Sequence, residues 1–256
     1  MHCYMKKIFY LLKKVLSFFY DLKKDLKYNE DVFNKLNINT NKIKEILKEN
    51  KLNYYSQNLS WHFHTFCGLK QYFANNSIEV KNILEIGTHD GNFTNFISDI
   101  FNKTKITSID LSEEDNQFIN SYRRQEKEFL KKFLEKRSKN TNKKNIEFIK
   151  LNSINILNRF IDKKFEIIWI DGDHHNPQVT IDIINSLSLL SENGIICVDD
   201  IIKDKNFRTK KVSGESYETL TLLEKNKIIN NQYVIKRVNK NNFFVKKFIS
   251  ISKIIL

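Results

Sequence analysis

Ile83-Leu84-Glu85-Ile86-Gly87-Thr88-His89-Asp90-Gly91 is the stretch on which the reading of this chain turns. Val80 to Ile86 is a short apolar run that stops at Gly87, the pattern of a buried strand. From Gly91 to Phe101 the period changes, and Phe93, Phe96, Ile97 and Ile100 fall on one face of a helix. Strand, glycine turn and amphipathic helix in that order predict the opening unit of an α/β core.

The same unit recurs downstream. Ile106 to Ile109 reads as a second strand, closed by Asp110. Its helix is expected to begin near Ser112, with Glu113, Glu114 and Asp115 in the first turn where negative charge suits exposed amides. That helix runs on, with or without a break, into a basic stretch ending near Lys139. Ile146 to Ile149 is a third strand, followed by a short helix around 154 to 159. Phe165 to Ile170 is a fourth, ending at Asp171-Gly172-Asp173-His174-His175. Asn176 then reads as an N-cap and Pro177 as the first helical residue, with the helix reaching about Leu190. Gly194 to Val198 is the fifth strand and ends in Asp199-Asp200. A helix from about 215 to 226 precedes two closing strands, Tyr233 to Val238 and Phe243 to Ile251, paired as a hairpin. Continuously apolar strands alternating with helices argue a parallel sheet covered on both faces. The expected architecture is a Rossmann-like, mostly parallel seven-stranded sheet with a C-terminal antiparallel hairpin, its nucleotide-binding core spanning residues 80 to about 200. Residues 1–79 read as an N-terminal helical extension and 80–256 as the α/β domain.

Bulk properties narrow the setting. A chain of 256 residues, 41% hydrophobic and 29% charged, has the composition of a folded globule and not of a disordered segment. Cys3, Cys67 and Cys197 form no CxxC pair, which gives no support to a Cys/His zinc site and fits a reducing, cytoplasmic setting. The net charge of +13 is uneven: residues 123 to 144 hold ten Lys or Arg against three Glu. Such a charge suits nucleic acid, anionic lipid or an acidic small substrate, and solvated Lys-rich helix faces account for it equally well. In Lys6 to Lys27, lysine pairs interrupt the apolar residues, so no span approaches the ~20 needed to cross a bilayer. This leaves a basic amphipathic helix, able to lie on an anionic membrane surface or to cover a face of the domain or of a partner subunit, as in a homo-oligomer.

In a sheet of this kind ligands bind outside the carboxyl ends of the strands, where the strand order reverses. Glycines at Gly87-x-x-x-Gly91 let the backbone turn tightly against a ligand, and Asp110, 19 residues past Gly91, is placed to accept the two hydroxyls of a ribose. A dinucleotide fingerprint needs glycine where His89 stands, and Asp90 adds negative charge where a pyrophosphate would lie. Both residues suit a cofactor without phosphate and with a cationic centre. Glu85, inside an apolar strand, is expected to accept hydrogen bonds from backbone or ligand beside the loop.

The stretch Ile83 to Phe96, Asp110 after strand two, Asn152-Ser153 after strand three and the closing hairpin resemble the class I S-adenosylmethionine-dependent methyltransferases, over about residues 80 to 250. The resemblance implies that Gly87, Thr88, His89, Asp90 and Gly91, with Glu85 beside them, hold the methionine part of the cofactor. It implies Asp110 for the ribose, Leu111 for the adenine face, and Asn152 and Ser153 for the adenine edge.

A second constellation concerns chemistry. If strands four and five are neighbours, Asp171, Asp199 and Asp200 converge at one edge of the cofactor pocket. Like charges so close repel unless a cation lies between them, and Mg²⁺ or another hard divalent ion takes oxygen ligands of this kind. Helix capping or pairing with a nearby Lys or Arg is the plainer role for the same residues. The set resembles the metal-dependent small-molecule O-methyltransferases, with Asp199-Asp200 closer to the sugar-modifying group than to the catechol type. A chelated ion would acidify and orient the acceptor hydroxyl. A base must then take the proton, either His174 or His175, and the resemblance favours His174. His62 and His64, in an aromatic segment, and Arg208, Lys210, Lys211 and Tyr217, in or after the loop that follows strand five, are the substrate-binding candidates. The expected activity is divalent-cation-assisted O-methylation of a sugar, glycan precursor or other polyhydroxylated small molecule. The rival is an RNA or other nucleic-acid methyltransferase, drawing on the basic stretch; strand four ends in Asp171-Gly172-Asp173-His174, without the Pro-Pro-aromatic motif of enzymes acting on base amino groups. A non-catalytic scaffold of the same fold comes third.

Overall fold

The computed structural model describes residues 20–52, 59–209, 211–239 and 245–255. Five strands run parallel: β1 (Asn82–Ile86), β2 (Lys105–Asp110), β3 (Ile146–Lys150), β4 (Phe165–Ile170) and β5 (Leu190–Val198). The last strand, β8 (Lys247–Ile254), lies antiparallel to β5, to the two-residue β6 (Ile201–Ile202) and to β7 (Ile229–Ile235). The sheet order is β3-β2-β1-β4-β5-β8-β6, with β7 on β8, so the sheet has eight strands where seven were expected. The chain reverses direction across the sheet between β1 and β4, and this is where a ligand crevice opens in such folds.

Strand periodicity divides the apolar residues between two layers. Ile83, Ile167, Trp169, Ile195 and Cys197 face one buried cluster; Leu84, Ile86, Ile168, Ile170, Ile196 and Val198 face the other. Helices α1 (Leu22–Lys35), α2 (Thr40–Glu49) and α3 (Trp61–Asn75) supply Phe33, Ile43, Leu47, Trp61, Phe66 and Phe73 to the first cluster, together with α4 (Asn92–Ile100). The N-terminal helices thus share their core with the sheet. Between β2 and β3 lie α5 (Asn116–Ile119) and α6 (Lys127–Thr141). On the second layer, α7 (Ile156–Arg159), α8 (Gln178–Leu189) and α9 (Glu215–Lys225) contribute Ile156, Val179, Ile183, Leu220 and Leu223.

Local chemistry explains where expectation and structure part. Asp115, not Ser112, caps the helix after β2 by accepting the Gln117 N–H. That helix stops at Ile119, and Tyr122 and Arg123 take left-handed backbone angles before α6 begins. Pro177 sits at the cap of α8, one place earlier than expected. β7 begins at Ile229, because the polar Asn231 is satisfied inside the fold: it donates to the Leu220 carbonyl and accepts from the Ser252 hydroxyl. Of the segment Lys6 to Lys27, residues 6–19 lie outside the described residues, and Leu22 to Lys27 opens α1. Among the described residues no helix is long and apolar enough to cross a membrane.

Candidate active site

A cleft of ≈ 750 Å³ opens at the carboxyl ends of β1 to β5, a size usual for small-molecule sites. Gly87 forms its floor. A Cβ there would stand 2.2 Å from the Asp171 carbonyl oxygen, and the backbone φ is +101°, so only glycine fits between the ends of β1 and β4. Two residues on, His89 takes a φ of +51° and turns its ring edge-on to Tyr122 and Phe133, both at 5.1 Å. Asp110 fixes this turn: Oδ2 accepts the His89 N–H and Oδ1 the Leu111 N–H, each at 2.8 Å. A carboxylate offers about four acceptor positions, so about two remain for a ribose diol. Burial raises the Asp110 pKa.

Gly87, His89, Asp110, Leu111, Asn152 and Ser153 all line the cleft. Glu85, Thr88, Asp90 and Gly91 instead support the loop from behind. Glu85 is buried and accepts hydrogen bonds from the Thr94 and Ser108 hydroxyls, both at 2.5 Å; burial pushes its pKa up to about 7. Thr88 joins this network through Ser108 at 2.6 Å. Asp90 accepts from Lys136 Nζ at 2.6 Å and from the Asn92 N–H at the start of α4, so its charge is met by Lys136. The repulsion of phosphate expected of Asp90 is therefore weakened, while His89 still fills the place of the middle glycine. Ser153 accepts from Gln178, whose amide also donates to the buried Asp182.

The opposite wall comes from β4 and β5. Their parallel register sets Ile170 beside Val198, which brings Asp171 next to Asp199. Asp199 is fully buried, and Asp200, at φ +53°, swings its carboxylate back toward the cleft. Lys236, just past β7, places Nζ 2.5 Å from Asp199 Oδ2 and 2.6 Å from Asp200 Oδ1. Lys247 Nζ is 2.6 Å from Asp200 Oδ2. Burial, and then the Asp199 charge, push the Asp171 carboxyl well up.

The two histidines separate clearly. His174 lines the cleft with Nε2 3.5 Å from Asp171 Oδ1 and 3.8 Å from Asp200 Oδ2, and burial lowers its pKa, which favours the neutral imidazole. His175 has both ring nitrogens engaged by acceptors, Asp173 Oδ1 at 3.0 Å and the Thr209 carbonyl at 2.7 Å. Burial pulls its pKa down, but those two acceptors outweigh it and the net shift is upward. A base needs a free lone pair, and the geometry of His174 supplies one more readily.

The four outlying substrate candidates do not line the cleft. His62 packs against Phe63 and Phe93, each at 4.3 Å, and His64 stacks on Trp61 at 4.2 Å, because the aromatic face of α3 is buried against the sheet. Arg208 is exposed and pairs with Glu215; Tyr217 packs on Tyr233 at 5.9 Å. Lys210 lies outside the described residues, whereas Lys211 reaches the cleft and lies 5.5 Å from the Tyr122 ring. Tyr122, Arg124, Lys236 and Lys247 are cleft residues that sequence reasoning passed over. For Lys236, the one available signal was a lysine following the apolar pair Val234-Ile235 at a strand end.

The expected ion site is a different matter. Among the described residues no group of three or more His, Cys, Asp or Glu side chains is arranged to hold a metal ion. The place between Asp199 and Asp200 that a divalent ion needs is taken by the Lys236 ammonium, so this donor set does not fit such an ion.

Sheet order, glycine turn after β1 and strand-ending acid after β2 define the class: the chain carries the fold of the class I S-adenosylmethionine-dependent methyltransferases. Residues 84–201 match a family model described as a methyltransferase domain. The O-methyltransferase TomG from Streptomyces achromogenes, solved in complex with SAM, has the same fold with a TM-score of 0.55 at 12% identity, over 90% of this chain and 98% of that one. The O-methyltransferase from Bacillus cereus, solved in complex with SAH, gives a TM-score of 0.50 at 15% identity, over 91% and 100%. No curated protein matches the sequence.

Proposed function

We propose that this methyltransferase transfers a methyl group from S-adenosylmethionine to a hydroxyl oxygen of a polyhydroxylated small molecule, a sugar or glycan precursor, with His174 as general base. The observation that carries the reading is the pairing of two walls across one cleft: Asp110 and the Gly87 turn on one side, His174 on the other. The names of the two fold neighbours agree with transfer to oxygen.

When bound, S-adenosylmethionine supplies an electrophilic methyl carbon on a sulfonium. The chain's own part is positioning and proton transfer. Gly87 lets the backbone approach the cofactor, Asp110 offers its remaining lone pairs to the ribose, and Leu111, Asn152 and Ser153 flank the adenine end. His174 Nε2 accepts the hydroxyl proton as the new C–O bond forms and the carbon–sulfur bond breaks. Asp200, with Oδ2 3.8 Å from that nitrogen, stabilises the resulting imidazolium.

The nucleic-acid reading has less charge to draw on than the sequence suggests, because Arg124 and Arg137 are buried and two exposed or half-buried lysines are met by carboxylates, while Lys127, Lys131, Lys132 and Lys139 keep a basic face toward solvent. Arg137 pairs with Glu113, Lys136 with Asp90, Lys143 with Asp99, and the Arg124 guanidinium lies 4.0 Å from the Phe118 ring. The test is a screen of nucleotide sugars and glycan precursors for methyl transfer by the purified chain. His174→Ala should lower turnover by roughly 10²- to 10⁴-fold and leave S-adenosylhomocysteine affinity, read by calorimetry, unchanged. Turnover that depends on RNA, or a His174→Ala enzyme as fast as wild type, would remove the proposal.

A further inference from the structure

We infer that the ammonium of Lys236 is the resident cation of the carboxylate site, standing where a divalent ion would otherwise be bound, so that the acceptor end of the cleft works without a metal. The inference rests on the methyl-transfer reading only for the statement that the acceptor lies here; the placement of the cation stands on geometry.

Lys236 is held where it is by backbone on both sides. Its N–H donates to the Lys247 carbonyl at 2.8 Å, and its own carbonyl accepts the Trp61 N–H at 2.7 Å from the first turn of α3. Strand pairing and the start of a helix therefore aim one lysine at one point. The side chain is only 10% exposed, and its nitrogen meets one oxygen of Asp199 and one of Asp200 at 2.5 and 2.6 Å. Buried charges persist when each finds its counterpart. Asp199 and Asp200 against Lys236 and Lys247 balance without any further cation, because the third carboxyl, Asp171, is pushed toward its neutral form by burial and by the neighbouring Asp199 charge. An Mg²⁺ ion with carboxylate oxygens at about 2.1 Å would overlap the ammonium and add two positive charges to a balanced set.

This arrangement has a consequence for the acceptor. An ammonium has three N–H donors; two are directed to Asp199 and Asp200, and Lys236 lines the cleft beside His174. The third donor is available to a single acceptor oxygen. Chelation of an ion calls for two adjacent oxygens on the substrate, whereas a hydrogen bond from Lys236 and a proton acceptor at His174 call for one. The acceptor class therefore includes hydroxyls that have no vicinal partner.

The experiment is a titration of the metal-stripped full chain with Mn²⁺ alone, followed by electron paramagnetic resonance, with S-adenosylhomocysteine affinity measured in parallel. Wild type is expected to bind no Mn²⁺ in the cleft, while Lys236→Ala frees the carboxylates and binds it at least tenfold more tightly, and Asp199→Asn added to that variant abolishes the gain. Lys236→Gln takes the place of the alanine variant should that one fail to fold. Stoichiometric Mn²⁺ on wild type that disappears in Asp199→Asn overturns the inference, and so does the absence of binding by wild type and Lys236 variant alike. Loss of S-adenosylhomocysteine binding by wild type would instead sink the methyl-transfer reading, leaving the Mn²⁺ result to judge the lysine.

Discussion

Glu85 ties the glycine turn to pH. Its carboxyl is 1% exposed and is held by two hydroxyls, and burial pushes its pKa up to about 7. An unfolded glutamate releases its proton near 4.5, so between pH 4.5 and about 7 the unfolded chain ionises while the folded one keeps its proton. Stability from this group is therefore complete below 4.5, falls as pH rises toward 7, and is flat beyond. The change is on the order of 3 kcal/mol. Glu85→Gln should abolish that fall, and urea midpoints of both proteins at pH 5 and pH 8 measure it; parallel behaviour of the two would contradict the assignment. Glu85 also shows how far a single residue can be read. A carboxylate in an apolar strand announces a hydrogen-bonded group, but Thr94 and Ser108, the donors, come from another helix and another strand. Lys236 was harder still. In a chain with 43 Lys and Arg, one more lysine carries no signal until strand pairing shows which carboxylates it meets.

Elements were legible where burial is two-sided. β1 to β5 read directly from the sequence because a parallel strand covered on both faces is mostly apolar, and single polar residues such as Glu85, Ser108 and Glu166 do not hide the run. β7 did not, since Asn230 and Asn231 interrupt its start; a break after α5 was open in the sequence, but its place was not legible, because left-handed Tyr122 and Arg123 have no glycine to mark them. How elements lock together gives two predictions. At the open edge of β7, Asn29 of α1 donates to the Ile235 carbonyl at 3.0 Å and accepts the Ile235 N–H at 2.7 Å. Asn29→Ala leaves both backbone groups buried without partners and should destabilise the fold by roughly 2–5 kcal/mol, seen as a lower denaturant midpoint with faster amide exchange along β7. At the switch point, Gly87→Ala must push β1 away from the Asp171 carbonyl and hold an alanine at φ +101°. S-adenosylhomocysteine affinity should fall by more than tenfold there, measured by calorimetry on protein that remains folded. A variant binding as wild type would show that the turn does not carry the cofactor.

At the scale of the whole molecule, the cleft joins distant parts of the chain. Gly87, Asp110 and Asn152 come from its first two thirds, Lys236 and Lys247 from its last strands, and the Lys236 carbonyl accepts the N–H of Trp61 in the N-terminal helices. The first hydrophobic cluster runs through the same parts, from Phe33 and Trp61 to Val234 and Ile249. If these contacts make one cooperative unit, a ligand in the cleft stabilises all of it. Thermal unfolding should then show a single transition that S-adenosylhomocysteine moves as a whole. At a concentration 100 times Kd the added stability is about 2.7 kcal/mol. For a domain of this size that corresponds to roughly 5–10 °C in Tm. Calorimetric scans with and without the ligand measure it. Two transitions, with only the later one responding, would mean that the N-terminal helices melt apart from the sheet and that the Trp61–Lys236 link does not couple them. A single transition with no shift would mean that the cleft does not bind this ligand, and would count against Asp110 and the glycine turn as a cofactor site.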